Sequence, residues 1–205
     1  EFLRGRDLQE VIEQDAPLPI PRIIHIAKQV LAGLAEAHSL DIIHRDLKPE
    51  NVMVESAHGQ GDFVKVLDFG IARIAGTSSR ITRPGLAMGT PEYMAPEQIA
   101  GREADARSDL YSVGILLYKM LTRSTPFRGD THSILTGHLF LKPDRPSLLR
   151  PNEVPPALDR IIARMMALNP DDRYATPQAV MRALLPFLGP LGGEPASVVS
   201  PLATA

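Results

Sequence analysis

The chain holds 205 residues, 44% of them hydrophobic and 22% charged, with 22 Lys and Arg against 24 Asp and Glu for a formal charge of −2. That composition supplies a packed core and excludes wholesale disorder, and its balance gives neither a basic footprint for nucleic acid nor a polybasic anchor for anionic lipid. The absence of cysteine excludes disulfides, thiolate-held zinc, iron–sulfur clusters and thiol nucleophiles.

The opening, EFLRGRDLQE, is polar and acidic and has no hydrophobic run of a signal peptide. Residue 1 is Glu rather than Met, so the chain is expected to be a fragment or a processed product. A short helix is predicted from Leu8, Val11 and Ile12 after Asp7, stopped by Pro17 and Pro19. A longer helix starts at Pro21, where Ile23, Ile24, Ala27, Val30, Leu31, Leu34 and Ala35 recur at three and four and form one apolar face. A charge-dense loop, Asp41–Asn51, leads to two strands, Val52–Glu55 and Phe63–Leu67, joined by a turn in SAHGQGD.

Residues 69–94 carry no sustained periodicity, and a loop of that length inside a compact domain reads as functional or disordered. Leu110–Leu121 is apolar nearly all round, which predicts a helix buried in the middle of the fold; with Ser112, Gly114 and Lys119 inside it, it is too short to span a bilayer. Leu158, Ile161, Ile162, Met165 and Leu168 predict an amphipathic helix led by Pro155 and Pro156. Thr176 and Pro177 are an N-cap and first-turn pair for a last helix, which Pro186 ends or kinks. Residues 189–205 have the composition of a linker or tail.

Three motifs carry the chemistry: His44-Arg45-Asp46-Leu47-Lys48-Pro49-Glu50-Asn51, then Asp68-Phe69-Gly70, then Ala95-Pro96-Glu97. The fixed positions of the first alone arise by chance in about one chain in ten thousand or fewer. Taken singly, His44 reads as a packing histidine, Asp46 as a turn or capping residue and Lys48 as solvated surface; only the joint spacing overturns that. Gly59 and Gly61 lack a third glycine at the offset of a phosphate loop and read as a turn. His25, His38, His58, His132 and His138 show no metal spacing and read as surface or packing residues.

In these motifs and their order, the chain resembles the eukaryotic-type (Hanks-type) serine/threonine protein kinases, and SDLYSVGILLYKMLTRSTPF is most similar to their bacterial members. The resemblance covers residues 1–188 and implies a protein kinase-like α+β fold, of which this chain is the hinge plus the mainly helical C-lobe with a small β-hairpin. It implies ATP-dependent phosphoryl transfer to Ser or Thr hydroxyls of a protein, with Mg2+, or Mn2+ in its place, as the cation. Asp46 is then the base that orients the acceptor hydroxyl, and Lys48 neutralises the moving phosphoryl group. Asn51 and Asp68 are the metal ligands. Leu3, Asp7 and Met53 face adenine and ribose. Glu50 and Thr90 contact the protein substrate, Thr90 within a docking segment, GTPEYM. Within the activation segment, residues 68–97, Thr77, Ser78, Ser79 and Thr82 are candidates for phosphorylation, with Arg45 as the partner of the phosphate. His44, Phe69, Gly70, Glu97, Asp109 and Arg173 have structural roles, Glu97 being paired with Arg173 and Asp109 holding the backbone of the catalytic loop.

The sequence departs from the family in one respect. It contains no glycine-rich loop, no strand lysine for the phosphates and no partner glutamate, so the N-lobe is an expected partner and the 205 residues alone are expected to transfer phosphate poorly or not at all. The surface around Met53, Leu67 and Phe69, which would face that lobe, is expected to be apolar. The location implied is cytoplasmic. Two other readings stay open: a non-catalytic binding module of the same fold, and a small-molecule kinase of the same superfamily, which usually lacks a peptide platform such as GTPEYMAPE.

Overall fold

The computed structural model describes residues 5–57, 61–69 and 90–189. Strand β1, Arg6–Asp7, runs into α1, Leu8–Asp15, because the Asp7 carboxylate accepts a hydrogen bond from the Glu10 amide and caps the first turn. α1 buries Leu8, Val11 and Ile12. α2, Ile20–Ser39, begins with Pro21 in its first turn and buries one face from Ile23 to Ala37.

The sheet is antiparallel, in the order β1-β2-β3. β2, Val52–Ala57, pairs with β3, Gly61–Val66, in a register that sets Val52 opposite Val66 and Ala57 opposite Gly61. The ladder thus extends into the stretch expected to be turn, since Ser56 and Asp62 are themselves paired. α2 holds this hairpin by polar contacts: Gln29 Oε1 accepts from the Val64 amide, Gln29 Nε2 donates to the Asp62 carbonyl, and Arg22 Nε is 2.7 Å from Asp62 Oδ2. The loop between α2 and β2 is therefore fixed at both ends.

α4, Ala106–Thr122, is the central helix. Every residue from Ser108 to Tyr118 is buried, and α2 and α7 pack on it. A Cβ at Gly114 would lie 2.9 Å from Met166 Cγ and 3.1 Å from Met165 Cβ, so the missing side chain lets α7, Pro156–Met165, approach closely. α7 ends at Met165, and Leu168 is 58% exposed rather than part of its apolar face. The reason is the next turn: Asn169 caps the 3-10 turn Pro170–Asp172, which carries Leu168 out of helical register. Thr176 caps α8, Pro177–Leu184, and the chain passes into a 3-10 turn, Leu185–Phe187, at Pro186.

Four elements have no counterpart among the expected ones: β1, α3 (Pro96–Ile99), α5 (Thr131–Phe140) and α6 (Pro146–Leu149). β1, α3 and α6 are too short to show periodicity. α5 hides because its buried side is Ile134, Gly137 and His138, while its Phe140 is 77% exposed. No helix of the described residues is long and apolar enough to cross a membrane.

Candidate active site

The site is built on the loop between α2 and β2, held from below by Asp109 of α4. Asp109 is 1% exposed. Its Oδ2 accepts from the His44 amide and its Oδ1 from the Arg45 amide, both at 2.9 Å. His38 Nε2 lies 2.8 Å from the same Oδ2. His38 therefore belongs to the support of the loop, a role beyond the surface or packing reading of the sequence. Arg45 adopts a left-handed backbone conformation, φ 68°, which a non-glycine residue keeps only when its surroundings hold it there. Gln98 of α3 adds a second brace, donating from Nε2 to the Arg45 carbonyl at 2.8 Å.

The backbone so fixed presents Asp46, Lys48 and Asn51 together. Lys48 Nζ is 3.8 Å from Asp46 Oδ2, and both side chains are partly open to solvent. Asn51 Nδ2 donates to the Asp46 carbonyl at 2.9 Å. That contact engages the amide nitrogen, and the amide oxygen is the atom that could serve a cation as a neutral ligand. Asp46 Oδ1 is 3.4 Å from the Thr90 amide, which brings the Thr90 backbone onto the aspartate.

Asp68 joins this group through the backbone on either side of it. The Leu67 amide donates to the Asn51 carbonyl at 2.8 Å, and His44 Nε2 lies 2.8 Å from the Leu67 carbonyl. The His44 ring packs on Phe69, centroids 5.0 Å apart. Asp68 itself is exposed and left-handed, φ 53°, between these two anchored neighbours. His44 and Phe69 are thus packing groups that place the aspartate.

A carboxylate and an amide oxygen are a donor set for a hard cation that takes its remaining ligands from phosphate and water. Asn51, whose amide nitrogen is engaged, and the exposed Asp68 fit that requirement in chemistry.

The segment that follows Thr90 rests on α4. After Thr90 the chain makes a 3-10 turn, Pro91–Tyr93, and Ser112 Oγ donates to the Tyr93 carbonyl at 2.8 Å. Lys119 Nζ donates to the Tyr93 hydroxyl at 2.9 Å, and burial pushes its ammonium below the ordinary lysine range. A cleft of about 470 Å³ opens here, with Glu13, Glu50, Glu92 and Lys119 among its walls. Glu50 and Thr90 both line it.

Glu97 and Arg173 form a buried bidentate pair: Nη1 to Oε1 and Nη2 to Oε2, each 2.7 Å. Ser108 Oγ donates to Glu97 Oε1 at 2.6 Å. Burial pushes the Glu97 carboxyl up, but the hydrogen bonds from Arg173 and Ser108 and the guanidinium charge outweigh it and hold the group below the usual range.

Asp7 serves as the α1 cap described above, and Met53 lies opposite it in the sheet. Met53, Leu67 and Phe69 are only partly buried. Leu3, Gly70, Thr77, Ser78, Ser79, Thr82, Gly59 and His58 lie outside the described residues, as does the tail beyond Gly189.

The protein kinase domain family matches residues 1–185. The chain is 45% identical over 184 residues to the serine/threonine-protein kinase pkn3 of Myxococcus xanthus, covering 87% of this chain and 34% of that protein. It is 41% identical over 174 residues to the serine/threonine-protein kinase PknD of Mycobacterium tuberculosis, covering 84% of this chain and 26% of the relative. It thus spans about a third or less of the length of these curated relatives. Among solved structures, a double mutant of the PknI kinase domain of Mycobacterium tuberculosis superposes with a TM-score of 0.69 at 26% identity, over 92% of this chain and 65% of that one.

Proposed function

The chain belongs to the protein kinase domain family, and from that premise we propose that residues 1–188 form the hinge and C-lobe of a serine/threonine protein kinase that moves the γ-phosphate of ATP to a protein hydroxyl. The observation that carries the reading is the meeting of Asp46 with Lys48, the Asn51 amide and the Thr90 backbone. Asp46 would hold the Ser or Thr hydroxyl in line and accept its proton as the new O–P bond forms and the bond to the ADP oxygen breaks. Lys48 would offset the charge on the phosphoryl oxygens in flight. Asn51 and Asp68 would hold magnesium, which neutralises phosphate oxygens when bound. Glu50 and Thr90 would line the peptide's path, and Leu3, Asp7 and Met53 would border the nucleoside.

The N-lobe is the partner this reading requires. Losing one preorganised charge contact to the phosphates costs about 2.7–4 kcal/mol in the barrier, so residues 1–205 alone are expected to transfer poorly. A cytoplasmic location accords with ATP as the donor.

Activation-segment phosphorylation at one or more of Thr77, Ser78, Ser79 and Thr82 follows from Arg45. Its Nε is buried without a hydrogen-bond partner among the described residues, and a phosphate would supply one. Mass spectrometry of the active kinase should find phosphate in residues 77–82; a bare segment in a fully active enzyme refutes this.

The reading as a whole is tested by joining the chain to its N-lobe and offering a generic protein substrate beside an aminoglycoside and choline. Phosphate should appear on the protein alone. Phosphorylation of only the small molecules would make it a small-molecule kinase, and magnesium-dependent nucleotide binding that is absent altogether would make it a binding module.

A further inference from the structure

His138 of α5 lies outside every motif above, yet it is 4% exposed and stands beneath the docking segment. Its Nδ1 is 2.7 Å from the Tyr111 hydroxyl. The Phe127 ring meets it edge-on, centroids 4.9 Å apart. α5 is pressed against that ring, because a Cβ at Gly137 would lie 2.6 Å from Phe127 Cγ and Cδ1. The imidazole cannot therefore back away from its neighbours.

Tyr111 is itself pinned from the far side. The Arg173 guanidinium sits 4.9 Å from the centre of its ring, and Arg173 is the partner of Glu97. With the hydroxyl donating to Nδ1, the neutral ring carries its proton on Nε2. That atom is buried and makes no hydrogen bond among the described residues. The main chain of Pro91 and Glu92 lies close enough to favour a charge on the ring, and α5 packs on this 3-10 turn.

We propose that His138 is a positioning residue for the protein substrate: oriented by Tyr111 and wedged against Phe127, its ring supports the Pro91–Tyr93 turn, on which α5 packs, at the height at which Thr90 meets Asp46. This deepens the proposed function, resting on the assignment of that turn to substrate docking. A continuous line then runs from Glu97 through Arg173, Tyr111 and His138 to the turn, so the end of the activation segment and the docking surface share one support. His138 touches neither nucleotide nor acceptor; it acts through the turn.

The test uses the kinase with its N-lobe present, in wild-type form and as His138→Phe and Tyr111→Phe. His138→Phe keeps an aromatic ring but removes both nitrogens. Tyr111→Phe keeps the stack on Arg173 and removes only the hydroxyl. His138→Phe should raise KM for a protein substrate about fivefold to tenfold, the loss expected for one buried hydrogen bond, with KM for ATP and kcat unchanged within about twofold. Tyr111→Phe should shift it in the same direction by less. Hydrogen exchange should quicken at the Tyr93 and Met94 amides in both variants while α4 stays protected. A purely structural role would instead lower kcat through a smaller active fraction, at constant KM. Unchanged protein KM and unchanged exchange in both variants overturn the proposal. If the wild type transfers no phosphate at all, the functional reading falls, and exchange at residues 91–94 still decides the placement of His138. If His138→Phe fails to fold, Tyr111→Phe carries the decision.

Discussion

Arg173→Met asks how much the fold depends on one buried ion pair. The side chains of Arg173 and Glu97 are 0% and 5% exposed, so water cannot replace the lost partner. The substitution keeps most of the aliphatic volume and strips Glu97 of two charge-assisted hydrogen bonds, leaving Ser108 as its side-chain donor among the described residues. It also removes donors from the carbonyls of Ala167, Arg107 and Leu168. Breaking a buried pair from one side costs about 3–5 kcal/mol, which is a large part of the stability of an ordinary domain. Glu97→Gln retains one oxygen acceptor but leaves the buried Arg173 charge unpaired and sets an amide N–H against one guanidinium nitrogen, so it should also cost about 3–5 kcal/mol. The pH dependence fixes the mechanism. In the wild type the Glu97 carboxyl titrates below its unfolded value, so its contribution is present above that value and lost as pH falls through the folded one. In Arg173→Met burial dominates and raises the carboxyl, so the acid binds a proton more readily when folded. The deficit of the variant should therefore shrink as pH falls from 7.5 to 5. Urea unfolding followed by circular dichroism reads both quantities. A deficit below about 1 kcal/mol at pH 7.5, or one that grows on acidification, refutes the reasoning.

Two further outcomes follow. Asp109→Ala strips acceptors from the amides of His44 and Arg45 and should cost about 2–5 kcal/mol, with hydrogen exchange at those two amides rising far more than in β2 and β3; equal change in both places would deny its role in the loop. His138 is pushed down to about 4 by burial, so the folded protein favours its neutral form and loses stability as pH falls from the unfolded value toward 4. Between pH 7.5 and 5 the wild type should lose about 2 kcal/mol more than His138→Phe, and parallel losses by the two proteins would contradict the placement of that ring.

The sequence was most legible where chemistry constrains neighbours within one short loop. Asp46, Lys48 and Asn51 lie within six residues of one another, and the spacing that identifies them is the spacing that the loop needs to present them side by side. α1, α2, α4 and α8 were readable because each buries an apolar stripe or is capped by a residue of evident type. α5 was not, since a helix that buries a histidine and a glycine while exposing phenylalanine has no stripe to read. His38, Gln98 and His138 escaped for a related reason. Each acts through a partner distant in sequence: His38 on Asp109, Gln98 on Arg45 and His138 on Tyr111. Nothing local marks such a side chain as different from a packing histidine or a surface amide. The pairing of Glu97 with Arg173, also distant, was accessible only because a motif singled out the glutamate and an unpaired buried charge demands a cation.

The central claim, that Asp46 directs a protein hydroxyl at the γ-phosphate, is tested most directly by radiolabelled ATP. The chain joined to its N-lobe, with magnesium and a generic protein substrate, should place label on serine or threonine. Asp46→Asn, at a side chain that is partly exposed, should cut the rate by about a hundredfold to ten-thousandfold while leaving the unfolding midpoint unchanged. A variant that phosphorylates protein at the wild-type rate would contradict the account.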